Sequence, residues 1–443
     1  MTTSLFKKLS VFGLLVLGCL TWLGASPASA HTGEQSYVFV QVFDDGISGR
    51  LEFPLRDLNE VLGLGLDTED EEQALADLDA NRDQIVAYAD DHFRIGLDEQ
   101  VEWQVEYGEW EFLEVEFGNY ALLNYDVTTA LEPPPRVFEV TFDPFFEEID
   151  GYFGLLTVET DFRGGVFNNE GDWLVAFNKG DARQVVDLDD SSLWKGIKGT
   201  IELGMEHIFI GTDHILFVVV LLIPSVLVFS TARGWDPSDG FRDSFVRVLK
   251  IATSFTVAHS VTLMLAGFDI VEFNSKLVET VIAASIVVAA AHNLKPILPN
   301  RETIIAFGFG LVHGLGFAGL LSDLGLDRTN RVWSLIGFNL GVEIGQVAII
   351  LLVFPVLFLL RRTRYYDIIL KGGSIAIAVV ACIWVAERIA EDDFGITSTI
   401  DKIVQRPRIV VLLAIAAVVA AGVRELEKRA NRLRPTHAEL ADA

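Results

Sequence analysis

The chain has 443 residues, 51% of them hydrophobic, yet it carries 62 acidic against 34 basic side chains and a formal net charge of −28 at pH 7. Such a balance lacks the basic footprint of a nucleic-acid binder, and no single solvent suits a chain both so apolar and so charged. The two properties separate along the sequence, acids crowding the first 195 positions and long apolar runs filling the rest, so a soluble domain followed by a membrane domain is expected.

The expected elements begin with a secretory signal at residues 1–30. Lys7 and Lys8 precede an apolar run from Val11 to Leu23, and Ala28-Ser29-Ala30 supplies small residues for cleavage. Val16-Leu17-Gly18-Cys19 loosely matches a lipidation box, the alternative processing route. After ordinary cleavage only Cys382 remains, in an apolar segment, so neither a disulfide nor a thiolate metal site is expected outside the membrane. His31 would become the new N-terminus, where its amine and imidazole could chelate Cu²⁺ together.

Residues 31–190 read as an acidic, extracytoplasmic, all-β domain, an antiparallel sandwich or barrel. Val101, Trp103, Val105 and Tyr107 alternate with Glu102, Gln104 and Glu106, the period of two of a strand with one buried face. Val115 and Phe117 repeat the pattern, and short apolar runs at 37–43, 137–142, 152–158 and 173–177 add further strands. Pro133-Pro134-Pro135 marks a loop. Residues 55–92 break the pattern and predict one or two helices. Within them Asp79, Asn81 and Asp83 resemble a calcium loop, but Gln84 stands where its glycine belongs and Asp90 where its glutamate belongs, so a degenerate loop or a solvated acidic helix is the expectation.

A connector at 191–203 leads to a helical membrane bundle over 204–424. Seven spans are expected, at 204–230, 245–268, 277–297, 303–322, 333–360, 369–390 and 407–424, each long enough for about 30 Å of hydrocarbon. Basic residues cluster in alternate loops: Arg233, Arg242 and Arg247; Lys295 and Arg301; Arg361, Arg362, Arg364 and Lys371. This predicts an N-terminal domain outside the cell's inner or plasma membrane and a cytoplasmic tail at 425–443.

Ionisable groups inside such spans are costly and mark function by default. The first span carries His207, Asp213 and His214; His207 and His214 are seven residues apart and share a helix face, while Asp213 points about 100° away from His214. His259, His292 and His313 sit in the next three spans, and the fifth holds Asn339, Glu343 and Gln346 as one polar stripe. At 1.5 Å per residue, His214, His259, His313 and Glu343 fall at similar depth. A cation would satisfy them together, and imidazole with carboxylate suits Ni²⁺, Co²⁺, Zn²⁺ or Cu²⁺. The expected metal ligands are His207, Asp213, His214, His259, His313 and Glu343. Asn339, Gln346, Thr256 and Ser260 should orient them, and His292 is the candidate continuation toward the inner side. Gly310 and Gly314 form a small-xxx-small pair for close helix approach.

The runs His207 to Phe217, Phe255 to Leu263, Gly308 to Ala318 and Phe338 to Gln346, in this order, resemble the HupE/UreJ family of bacterial membrane proteins over about residues 200–360. The resemblance implies the movement of nickel or a related metal, and His207, Asp213 and His214 match the family's histidine–aspartate–histidine signature. The H-x5-D-H spacing is one residue longer than the H-x4-D-H of the separate nickel/cobalt permease family, and the large exported domain resembles the family's long subgroup. Two other functions compete with transport. One is a membrane-embedded metal hydrolase, with Ser260, Glu343 or Asp213 as acid or base. The other is a metal sensor or assembly factor whose outer domain binds an extracytoplasmic partner.

Overall fold

The computed structural model describes residues 35–390 apart from 99, 116, 117, 130, 132, 168, 170, 171, 233, 269, 272 and 317–327, together with Phe394 and Gly422. The expected signal segment, Cys19, His31, the tail and, but for Gly422, the seventh span lie outside the described residues. The chain divides into two compact units, one reaching Thr200 and also taking in the start of the helix at 328–360 as far as Ser334, the other beginning at Ile201 and resuming at Leu335.

The first unit holds the strands. β1 (Gln35–Val42) and β2 (Ile47–Pro54) form a hairpin. Three helices follow, α1 (Leu55–Leu62), α2 (Glu71–Ala80) and α3 (Arg82–His92), where one or two were expected. The Asp70 carboxylate caps α2 by accepting from the Gln73 amide at 2.9 Å. Asp79 lies in the last turn of α2, Asn81 is the turn residue between the two helices and Asp83 lies in the first turn of α3, so the calcium-like spacing falls on two helix ends and the turn that joins them. β3 (Phe93–Asp98), β4 (Val101–Glu102), β5 (Gln104–Val115), β6 (Gly118–Thr128), β7 (Val137–Phe142), β8 (Phe153–Asp161), β9 (Val175–Asn178) and β10 (Arg183–Asp187) complete the unit. They build a sheet in the order β5-β6-β2-β1-β8-β9 and a second in the order β10-β7-β3-β4.

Alternation decides which side chains fill the core. Val38, Val40 and Val42 of β1 face inward and meet Phe93, Ile95, Phe138, Val140 and Phe142 of the second sheet. Tyr37 and Phe39 turn the other way and pack with Tyr120, Leu122 and Trp173. The sandwich form expected from sequence is present, with two corrections. The domain is not all-β, because α1 to α3 supply Leu55, Leu58, Ala74, Leu78, Ile85 and Ala89 to the same core. Nor is the sheet wholly antiparallel, since β1 and β8 pair in parallel; helices and strands lie between them in sequence, room enough for a crossover.

The second unit is helical. α4 (Leu193–Ile210) runs into it and meets α5 (Thr212–Ser225) at 73°, so the expected first span is a bent pair and not one helix. A short hairpin follows, β11 (Leu227–Ser230) and β12 (Gly234–Pro237). Then come α6 (Phe241–Gly267), α7 (Ser275–Leu294), α8 (Glu302–His313), α9 (Arg328–Leu360) and α10 (Tyr366–Ala390). Among the described residues four helices are long and apolar enough to cross a membrane, or five if the bent pair is one span. α8 is shorter, with 12 residues. Gly310 and Gly314 do allow close approach: a Cβ at either would strike α6 backbone, at the Phe255 and His259 carbonyls respectively.

Candidate metal centre

His207 closes α4 and His214 opens α5, with Gly211 between them. On a straight helix seven residues span about 10.5 Å of axis, too far for two imidazoles to meet. The break at Gly211 brings the two ring centroids to 4.4 Å. Glycine is needed there for space and not for its dihedrals, which are extended (φ −67°, ψ 97°). A Cβ on residue 211 would lie 2.6 Å from His214 Nδ1 and 3.1 Å from Asp213 Oδ1. Those two atoms are partners: Asp213 Oδ1 and His214 Nδ1 are 3.0 Å apart. Asp213 therefore turns back onto its neighbour, where the helical wheel had it pointing away.

His259 arrives from the middle of α6 and His313 from the last residue of α8, both nearly inaccessible to solvent. The His214 and His313 ring centroids are 5.5 Å apart. Phe217 and Phe255 pack on His313 at 5.1 and 5.0 Å, and Phe338 packs on His207 at 5.4 Å, giving the cluster an apolar wall. Two groups have donor atoms mutually within 4.8 Å: His207, His214 and His259; and Asp213, His214 and His313. Five of the six expected ligands thus converge. Glu343 belongs to neither group. Its Oε1 accepts from the Thr253 hydroxyl at 2.6 Å, and its Oε2 is buried with no hydrogen-bond partner among the described residues.

Hydrogen bonding fixes which ring nitrogens carry lone pairs. The carboxylate of Asp213 only accepts, so His214 donates through Nδ1 and keeps its lone pair on Nε2. Asn339 gives its amide hydrogen to the Leu335 carbonyl at 2.8 Å, so its oxygen accepts from His259 Nδ1 at 3.2 Å. The lone pair of His259 is then on Nε2, which is buried and without a hydrogen-bond partner. The Ser285 hydroxyl spends its one hydrogen on the Ile282 carbonyl at 2.7 Å and can only accept from His313 Nε2 at 3.2 Å. The lone pair of His313 falls on Nδ1, again buried and unpartnered. An unfilled lone pair in an apolar cavity is costly, and a cation is the group that several such lone pairs can share.

His292 shows the opposite pattern. Its Nδ1 accepts from the Ile297 backbone N–H at 3.1 Å, so the proton sits on Nε2 and no lone pair remains. It caps the end of α7 and is not brought to the cluster. Of the expected orienting residues, Asn339 does hold a ligand. Thr256 instead donates to Gln346 at 3.3 Å and Ser260 to the Thr256 carbonyl at 2.7 Å. Sequence reasoning missed Ser285, although a serine in the apolar run Val281 to Ala290 was a usable signal. In the first unit His92 Nδ1 lies 2.9 Å from Asp143 Oδ1, apart from any metal-type cluster.

A family model described as "HupE / UreJ protein" matches residues 182–388, which include every residue of the cluster and the bundle helices around it. No curated protein and no solved structure matches the chain.

Proposed function

The chain belongs to the HupE/UreJ family through residues 182–388, and we propose that it binds and transports a divalent transition-metal ion, nickel or cobalt first, through the cluster on α4, α5, α6 and α8. One observation carries this reading: His259 and His313, one in each of the two donor groups that contain His214, each tie one ring nitrogen to a hydrogen-bond acceptor and keep a buried, unmatched lone pair on the other. A ligand histidine fixes one ring nitrogen by a hydrogen bond and leaves the lone pair of the other for the metal; His292 differs in that its unmatched nitrogen carries the proton. His207 and Asp213 complete the donor set, and the Asp213 carboxylate offsets part of the cation's charge. Glu343, held by the Thr253 hydroxyl, is assigned to the path and not to the ligand set.

The topology that fits this role has a cleaved signal at 1–30, the acidic domain outside, seven spans, and a cytoplasmic C-terminus. The basic loops support that orientation. An acidic outer domain raises the local concentration of cations at the membrane surface. Of the acid–base candidates of the hydrolase reading, Ser260 gives its hydroxyl proton to its own helix, while Asp213 and Glu343 keep carboxylate oxygens for that role.

The test is metal binding by the purified full-length protein in detergent, titrated with Ni²⁺ and Co²⁺. Wild type should bind, His214→Ala should lose binding at least about 100-fold, and His92→Ala should bind as wild type. Folded wild-type protein that binds neither ion, or a His214→Ala variant that binds normally, overturns the reading.

A further inference from the structure

Three helices of the metal centre continue past it toward one end of the bundle. On α5 the face of His214 carries Phe217 and Leu221, on α6 the face of His259 carries Phe255, Ala252 and Val248, and on α9 the face of Asn339 carries Gln346 and Ile350. At that end Arg361 donates to the Ser238 carbonyl at 2.7 Å and Arg247 to the Leu227 carbonyl at 3.0 Å. These basic residues make it the inner end in the orientation given above. We propose that the Phe217 and Phe255 rings are the inner gate of the transport path, closing the metal centre from the cytoplasmic half of the bundle. This rests on the cluster being a transport site, as argued above.

The two rings form a pair between the histidines and that half. Their centroids are 4.9 Å apart, and both side chains are 1% exposed. On the metal side Phe217 and Phe255 lie 5.1 and 5.0 Å from His313, and Phe255 lies 6.0 Å from His259. On the far side they line a cavity of about 10 Å³ whose wall reaches Leu222 and Val248. Those two residues lie about 12 and 16 Å along the helix axes from His214 and His259. The cavity has room for at most one water, and among the described residues Gln346 is its one polar lining side chain.

A hydrated ion does not fit there, and an apolar constriction of this kind stays dry and stops ions until its side chains part. Gln346 is placed to receive an ion that passes. Its Oε1 accepts from the Thr256 hydroxyl at 3.3 Å, which leaves the second lone pair of that oxygen for a cation. The ion then leaves the imidazoles for an amide oxygen, a weaker ligand, on its way to the inner end.

Ni²⁺ uptake down a concentration gradient into proteoliposomes of the full-length protein tests this, beside equilibrium Ni²⁺ binding in detergent. Phe217→Ala and Phe255→Ala each remove one ring of the pair and no ligand. Each should bind Ni²⁺ with an affinity close to wild type and pass it about twofold to tenfold faster, the worth of one aromatic pair. The double variant should be little faster than either single one, because both changes remove the same contact. Adding His214→Ala to Phe217→Ala should stop uptake, since the ion reaches the gate through the metal centre. Alanine variants that bind Ni²⁺ but pass it no faster than wild type overturn the proposal. Folded variants that lose binding also overturn it, because the rings then only wall the site. So does uptake that survives His214→Ala, which would show a passage around the metal centre. Wild type that binds no Ni²⁺ is a different result, because it removes the metal site and the gate with it. Should an alanine variant not fold, Phe217→Leu and Phe255→Leu keep apolar bulk and give the same comparison.

Discussion

Both units bury polar groups, and two sets of them are treated in opposite ways. In the sandwich, Arg50 lies between Glu52, at 2.8 Å from its Nε, and Glu159, at 2.5 Å from its Nη1, with its guanidinium 4.0 Å above the Phe39 ring. Gln41 takes the other oxygen of Glu159 at 2.5 Å. Likewise the fully buried Asp57 accepts from Tyr152 at 3.0 Å and lies 3.2 Å from Arg56. Burial pushes the Asp57 carboxyl up from its ordinary range, while the tyrosine and arginine hold it down. These are closed networks, in which donors meet acceptors and nothing is aimed at a visitor. In the helical unit His259 and His313 are as deeply buried, yet each keeps a lone pair with no hydrogen-bond partner among the described residues. The contrast teaches that burial of a charge-bearing group does not signal function. Which atoms remain unmatched, and whether they are lone pairs or protons, separates a ligand from a strut.

The comparison can be broken by removing one member on each side. The largest effect is expected in the sandwich. Arg50→Ala leaves Glu52 and Glu159 facing each other without their cation, and loss of one partner of a buried pair costs about 3 kcal/mol or more. Chemical denaturation of the full-length protein should show the sandwich transition moving while metal affinity stays unchanged. A shift in affinity instead would mean that this network serves the metal centre. In the helical unit Ser285→Ala removes the acceptor that fixes the His313 tautomer, and a lost orienting partner weakens metal binding by about 10- to 100-fold. Stability should hardly change, because the Ser285 hydroxyl spends its proton within its own helix. Ser285→Thr keeps the hydroxyl and should restore affinity; if it does not, the serine acts by its size.

The smallest effect sharpens the contrast for a histidine outside the helical unit. The hydrogen bond to Asp143 holds the His92 imidazole above its ordinary pKa, against the burial that lowers it. A raised folded-state pKa adds stability in full below about pH 6.5, and that stability is lost as pH rises through the folded value. Both side chains are partly exposed, 25% and 34%, so the gain is under about 1 kcal/mol. Thermal unfolding of wild type between pH 5.5 and 8 should show this loss, and Asp143→Asn should flatten it. An unchanged slope in the variant would show that another group titrates in that window.

Much of this protein was legible from local chemistry alone. Long apolar runs demand a membrane whatever surrounds them, and alternating valines and glutamates demand a half-buried strand. An imidazole in an apolar run needs a partner wherever it lies, so His207, His214, His259 and His313 could be named one by one. Their assembly depends on tertiary structure. Helical periodicity put His207 and His214 on one face but about 10.5 Å apart along it, and only the 73° break at Gly211 joins their rings. The same periodicity pointed Asp213 away, where the fold turns it onto His214. The parallel pairing of β1 with β8 was equally hidden, since a strand's side-chain pattern is the same for either direction of its neighbour. Ser285 and Asn339 matter only because α7 and α9 lie against His313 and His259. Residue chemistry is local and can be read along a chain, whereas the tautomer of a histidine depends on what stands across from it, and only packing decides that.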